Sequence, residues 1–276
     1  MTTFDAAKPL GAPSGPKACE RLTDWVVTFL PPAALTAAIT FRISREFAVI
    51  APLAVAAREN GLDGLTMQAV ATELDCAVGT LYTAFASKSE LVAALQSEAV
   101  ATLAASLGVL HATWEPELDA LEPELALLVR LVGYAGFVGA AAIVYPDETH
   151  LVRALLGDTT PPRGSDQARA LLPVVMRLLD PPVRLLADGV GHAVLAPADP
   201  VTRALGWLTA LHGVLRVDAL ASLDRHLFRS SPLTRALTTD LLCGWGAARE
   251  DVEVATSQVD RLAALGPLAP PSDDPR

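Results

Sequence analysis

The stretch LTMQAVATELDCAVGTLYTAFASKSELVAAL, Leu65 to Leu95, decides how the chain is read. Met67, Val70, Ala71 and Leu74 recur at three- and four-residue spacing behind Thr66, a residue suited to an N-cap, so a short helix starts after Leu65. Asp75-Cys76-Ala77 breaks it, and Val78 to Phe85 holds barely two further turns. Ser87-Lys88-Ser89-Glu90 then has the form of a capping box, with Ser at the N-cap and Glu three residues on, and opens a third helix. That helix is long, because Leu91, Leu95, Ala99, Leu103, Leu107 and Leu110 continue one apolar stripe. Upstream, Phe47, Ile50, Leu53 and Ala57 predict a helix from Arg45 to Asn60, with Gly61 as its C-cap and Pro52 kinking it or marking its first turn. Short helices joined by a three-residue turn have helix-turn-helix geometry, whose last short helix fits a DNA major groove.

At Gly61, Leu65-Thr66-Met67, Val70-Ala71, Leu74, Gly79, Leu81-Tyr82, Phe85, Ser87-Lys88 and Leu91, this stretch resembles the DNA-binding motif of the TetR family of transcriptional regulators, over roughly residues 45–95. The resemblance implies phosphate contacts for Thr66, Tyr82 and Lys88, and base-edge or groove contacts for Gln68, Val78, Gly79, Thr80 and Thr83. Chemistry suits those roles. A phenol and an ammonium donate to phosphate oxygens, a helix N-terminus attracts anions, an amide pairs with an adenine edge, and a threonine methyl meets a thymine methyl. Gly79 lets backbone approach closely. Val70, Leu74, Leu81, Phe85 and Leu91 are expected in the core of the small domain.

Two features depart from the family. Thr83-Ala84 stands where many members carry a basic or imidazole side chain after the tyrosine. Between residues 45 and 100, three basic residues face seven acidic ones, a net charge of −4. Few phosphates can be neutralised, so modest affinity and a shallow salt dependence are expected. The alternative is a degenerate member that no longer binds DNA tightly and serves as a ligand-binding or protein-partner dimer.

The whole chain has 276 residues, 51% hydrophobic and only 5% aromatic, with Ala and Leu dominant, which predicts an all-α fold. Its net charge of −10 disfavours nucleic acid unless positive charge is concentrated locally, and the helix-turn-helix stretch outweighs that balance. Cys19, Cys76 and Cys243 fit neither a disulfide framework nor a zinc pattern, which suits a reducing, cytoplasmic compartment. The apolar run Trp25 to Phe41 is short for a bilayer span and holds Pro31-Pro32, so no stable membrane association is expected. The five histidines include no pair at i,i+4, and no nucleophile elbow, phosphate-cradling loop or H-E-x-x-H occurs. Neither an enzyme nor a cofactor is expected.

Past Trp114, acidic-Pro pairs such as Glu115-Pro116, Glu122-Pro123, Asp180-Pro181 and Asp199-Pro200 read as N-caps followed by first helical residues. Helices are predicted over 123–143, 147–156, 166–179, 182–193, 200–222, 232–247 and 250–264, with a loop at 157–166. The expected organisation is a leader (1–44), a helix-turn-helix domain (45–100), a helical ligand-binding and dimerisation domain (101–265) and a disordered tail (266–276). Trp114, Tyr134, Phe137 and Tyr145 are candidates to line a pocket for a small hydrophobic ligand. The apolar segments 201–220 and 232–247 put Leu205, Leu208, Leu215, Leu233, Leu237 and Leu241 forward as a homodimer interface. The resemblance thus implies a dimeric repressor on double-stranded, pseudo-palindromic operator DNA, released by a hydrophobic ligand.

Overall fold

The computed structural model describes residues 62, 64–73, 75–157, 165–220, 223–224 and 229–271. The leader, the helix at 45–60, the apolar run 25–41, Cys19 and most of the loop at 157–166 lie outside the described residues. Regular structure among the described residues is helical throughout: α1 (Met67–Glu73), α2 (Val78–Ala84), α3 (Lys88–Leu118), α4 (Pro123–Val144), α5 (Pro146–Gly157), α6 (Ser165–Gly191), α7 (Pro200–Leu215), a 3-10 turn (Arg216–Leu220), α8 (Ser230–Gly244) and α9 (Arg249–Ala263). The chain divides into two compact units, up to Lys88 and from Ser89.

In the first unit, the Ala69 amide donates to Thr66 Oγ1 at 3.1 Å, so Thr66 caps α1 as expected. Helix α1 ends where Asp75 turns left-handed (φ 48°) and the Cys76 amide donates to the Ala71 carbonyl at 2.9 Å. This closure turns the chain within three residues. Leu65, Met67, Val70, Ala71, Leu81, Ala84 and Phe85 are buried.

The second unit is built around α4, which packs against α5, α6, α7, α8 and α9. Both α3 and α4 are long and apolar enough to cross a membrane by length and composition; α4 owes this to its central place, with residues such as Val129 and Leu131 at 0% exposure. Asp199 caps α7 by accepting from the Thr202 amide at 2.8 Å, with Pro200 at the first helical position. Glu122 precedes Pro123 in the same way, but its side chain makes no capping bond.

Several expected boundaries are corrected. Helix α3 runs through Pro116 to Leu118, because Trp114 and Leu118 extend the buried stripe of Leu107 and Leu110. The segments 166–179 and 182–193 form one helix, α6, that passes Pro173, Pro181 and Pro182. Each proline removes one backbone bond, whereas Val174, Leu179, Leu185 and Leu186 keep one buried face in register across them. Helix α7 stops at Leu215 and tightens into the 3-10 turn rather than continuing to 222. Residues 266–271 do not fray: Ala269 is buried, and the Pro270 carbonyl accepts from Ser106 Oγ at 2.6 Å and Tyr145 Oη at 2.7 Å.

Helix α3 crosses α4 at Gly133, where an added Cβ would stand 2.5 Å from the buried Trp114 ring. Gly133→Ala should therefore destabilise by about 1–3 kcal/mol through overpacking, despite alanine's better helix propensity. Gly139→Ala, where a Cβ meets nothing within 4 Å, is the matched control and should not lower the melting temperature. Equal melting of the two variants would contradict this packing.

Candidate functional site

Helix α2 is seven residues long, and its sides divide cleanly. Leu81 and Ala84 are buried with Phe85, while Gly79, Tyr82 and Thr83 are exposed, an i, i+3, i+4 stripe facing solvent. Tyr82 stands out at 54% exposure, which leaves its hydroxyl accessible to a phosphate. Val78 and Thr80 are partly exposed, as is Lys88 at the start of α3. Thr66 and Gln68, from the start of α1, are exposed in the same unit. All eight residues singled out for DNA contact thus retain surface.

Thr83 and Thr66 make local hydrogen bonds. The Thr83 hydroxyl donates to the Gly79 carbonyl at 2.9 Å, so it offers an outward partner its lone pairs and methyl rather than its proton. Thr66 Oγ1 is occupied as the acceptor of the α1 cap and keeps its own proton to donate. Lys88 is the one cation in the sequence from 62 to 88.

In the second unit, Tyr134 and Phe137 line a cavity of about 50 Å³ between α3, α4, α5, α6 and α7. Trp114 and Tyr145 do not line it. The first is packed over Gly133, and the second donates its hydroxyl to the Pro270 carbonyl, so both serve the framework. The sequence reading missed the polar members of this cavity, Thr149, Arg177 and His212. They stand on three helices far apart in sequence, and no short motif joins them. His212 Nδ1 lies 2.8 Å from the Leu208 carbonyl, which can only accept, so Nδ1 carries hydrogen and Nε2 is the acceptor. Burial, helped by nearby Arg153, lowers its pKa against the pull of that hydrogen bond and keeps the ring neutral. Burial raises the Tyr134 phenol well above its ordinary value, so it too is neutral.

The six interface leucines separate into two groups. Leu208 and Leu215 are buried in the core of their own unit and are unavailable to a partner, because α7 turns the 204, 208, 211, 215 face inward. Leu205 and Leu233 are 41% and 40% exposed, and Leu237 and Leu241 are half-buried.

Two short helices joined by a short turn, the second with one side facing solvent, form a helix-turn-helix arrangement. The profile of bacterial regulatory proteins, tetR family, matches residues 54–95, the segment that holds both short helices and the start of α3. No curated protein matches the sequence. Among solved structures, RolR without ligand is 17% identical, with 75% of this chain and 94% of that chain covered and a TM-score of 0.45. A TetR-family regulator from Mesorhizobium loti is 16% identical over 82% of this chain and 97% of its own, with a TM-score of 0.39. AibR, in complex with isovaleryl coenzyme A and operator DNA, is 14% identical over 61% and 84%, with a TM-score of 0.37.

Proposed function

We propose that the chain is a cytoplasmic, dimeric repressor that binds a pseudo-palindromic operator through Thr66, Gln68, Val78, Gly79, Thr80, Tyr82, Thr83 and Lys88. The observation that carries this reading is the exposed stripe of Gly79, Tyr82 and Thr83 on a short helix whose opposite side is buried. Dimerisation places two such helices on successive major-groove faces, and the exposed Leu205 and Leu233, flanked by Leu237 and Leu241, supply the apolar surface for it. A hydrophobic ligand entering between Tyr134 and Phe137 favours another spacing of the two heads and releases DNA. The cavity there is far below the roughly 300–1,000 Å³ of drug-sized sites, so ligand entry has to part the helices around it. The working division is a helix-turn-helix domain over 45–100 and a ligand-binding and dimerisation domain from 101. No catalytic role is assigned.

The test is a gel shift and footprint on the DNA upstream of its own gene at low salt, where electrostatic binding is strongest. A protected, two-fold symmetric site is expected, and the absence of any protection overturns the reading. Tyr82→Phe should weaken binding about tenfold, the loss of one charge-assisted hydrogen bond of roughly 1.5 kcal/mol, without changing stability. Lys88→Ala should weaken all sequences alike and flatten the plot of log affinity against log salt by about 1 per subunit. The acidic balance of −4 over 45–100 favours a second reading, a ligand-binding dimer that has lost DNA. Indifference of binding and phenotype to both substitutions would select it.

A further inference from the structure

Helix α4 shows two different faces within the second unit. On one, Tyr134, Phe137, Val138 and Ala141 border the cavity described above. On the other, Ala135, Gly136, Gly139 and Ala140 form the floor of a separate groove of about 270 Å³, roofed by α8 and α9. Small residues at successive i, i+3, i+4 positions leave a trench where larger side chains would have filled the helix interface. The side of α8 turned to this trench carries hydroxyls, Ser230, Thr234 and Thr238 at four-residue spacing, with Ser231 and Thr239 beside them. Thr238 is 2% exposed, and its Oγ1 has no hydrogen-bond partner among the described residues. A buried hydroxyl left unpaired is costly, and such groups in folded proteins ordinarily meet a partner.

The charges at the groove are closed on themselves. Arg235 donates to Asp260 through both terminal nitrogens, at 2.9 and 2.8 Å. Arg235 is thereby matched, and the lining offers neither a free cation to an anion nor a free carboxylate to a cation. An occupant that breaks the pair would lose a bidentate bond before gaining one. What is left is an apolar floor against which a flat body can lie close to backbone, and a wall of hydroxyls in which Ser230 already donates to Asp218 and the buried Thr238 has no bond among the described residues.

We propose that this groove is a second small-molecule site, distinct from the cavity at Tyr134 and Phe137, which takes a neutral amphipathic molecule with one apolar face and a hydroxyl or carbonyl directed at Thr238. Its volume is close to the lower end of small-molecule sites, so the occupant is compact, on the scale of two fused rings.

The experiment is calorimetric titration of the full chain with 2-naphthalenemethanol, a neutral probe of this shape, and with 2-naphthoate, its anionic counterpart, at pH 7. The alcohol is expected to bind saturably at one per chain, and the carboxylate at least tenfold more weakly. Thr238→Val removes the unpaired hydroxyl without changing shape and should weaken the alcohol about tenfold while the melting temperature holds or rises. Gly139→Leu has open space for its Cβ and projects its branch into the trench, so it should abolish binding while the fold is retained. Absence of saturable binding, equal binding of the carboxylate, or wild-type affinity in either variant overturns the assignment.

Discussion

Trp207→Ala should destabilise the helical unit by about 3–5 kcal/mol, the range for emptying a large aromatic site in a core. Trp207 is 0% exposed on α7. Its ring meets Tyr134 at a centroid distance of 5.3 Å and Trp245 edge-on at 6.1 Å, and Trp245 in turn carries the Arg203 guanidinium 5.4 Å above its ring. Truncation therefore removes one indole and unseats three other side chains, Tyr134, Trp245 and, through Trp245, Arg203. The Trp207 Nε1 proton is buried without a partner among the described residues. Trp207→Phe should cost much less than the alanine variant, because it keeps an aromatic ring and deletes an unsatisfied donor. Urea unfolding followed by circular dichroism measures both. An alanine variant within about 1 kcal/mol of wild type would mean that this cluster is not a stabilising core.

Ending the chain at Gly266 should lower the melting temperature by about 10 °C, on the usual scaling of a few degrees per kcal/mol for a unit of this size. Three losses combine. Leu268 and the buried Ala269 leave the core cluster centred on α4. The hydroxyls of Ser106 and Tyr145 lose their common acceptor, the Pro270 carbonyl. Both belong to buried residues, so each is left needing water it reaches poorly. The control ends at Pro271 and keeps Pro270 with both donors. The comparison is a differential scan of the two truncated chains, and equal melting temperatures would contradict the role given to this segment.

How much was legible in the sequence depended on how local the cause was. The helix-turn-helix stretch was legible because Thr66 caps its own helix and the turn at Asp75 closes onto Ala71, all within one short segment. The run of Pro181-Pro182 was misread for the opposite reason. A proline's penalty is local and visible, but the burial of Leu179, Leu185 and Leu186 that outweighs it is decided by other helices. Two of the six interface leucines, Leu208 and Leu215, failed for a related cause: α7 is apolar on more than one side, so periodicity alone did not say that Leu208 faces inward and Leu205 outward. Helix α8 was read as simply apolar, although Thr234 and Thr238 stand four residues apart and share a face. That hydroxyl stripe was the available signal for the groove. Arg177, Thr149 and His212 offered none, because only the packing of α5, α6 and α7 brings them to one cavity.

Helix α4 is also a partition wall shared by two voids. A rigid wall cannot give room on one side without taking it from the other. If an occupant of one void displaces α4, the displacement is felt in the other, because Phe137 and Gly136 are neighbours on that helix. Thermodynamic reciprocity then makes the effect symmetric: each occupant would change the other's affinity by the same factor, whichever binds first. Measuring the affinity of each void with the other filled and empty reads that coupling directly.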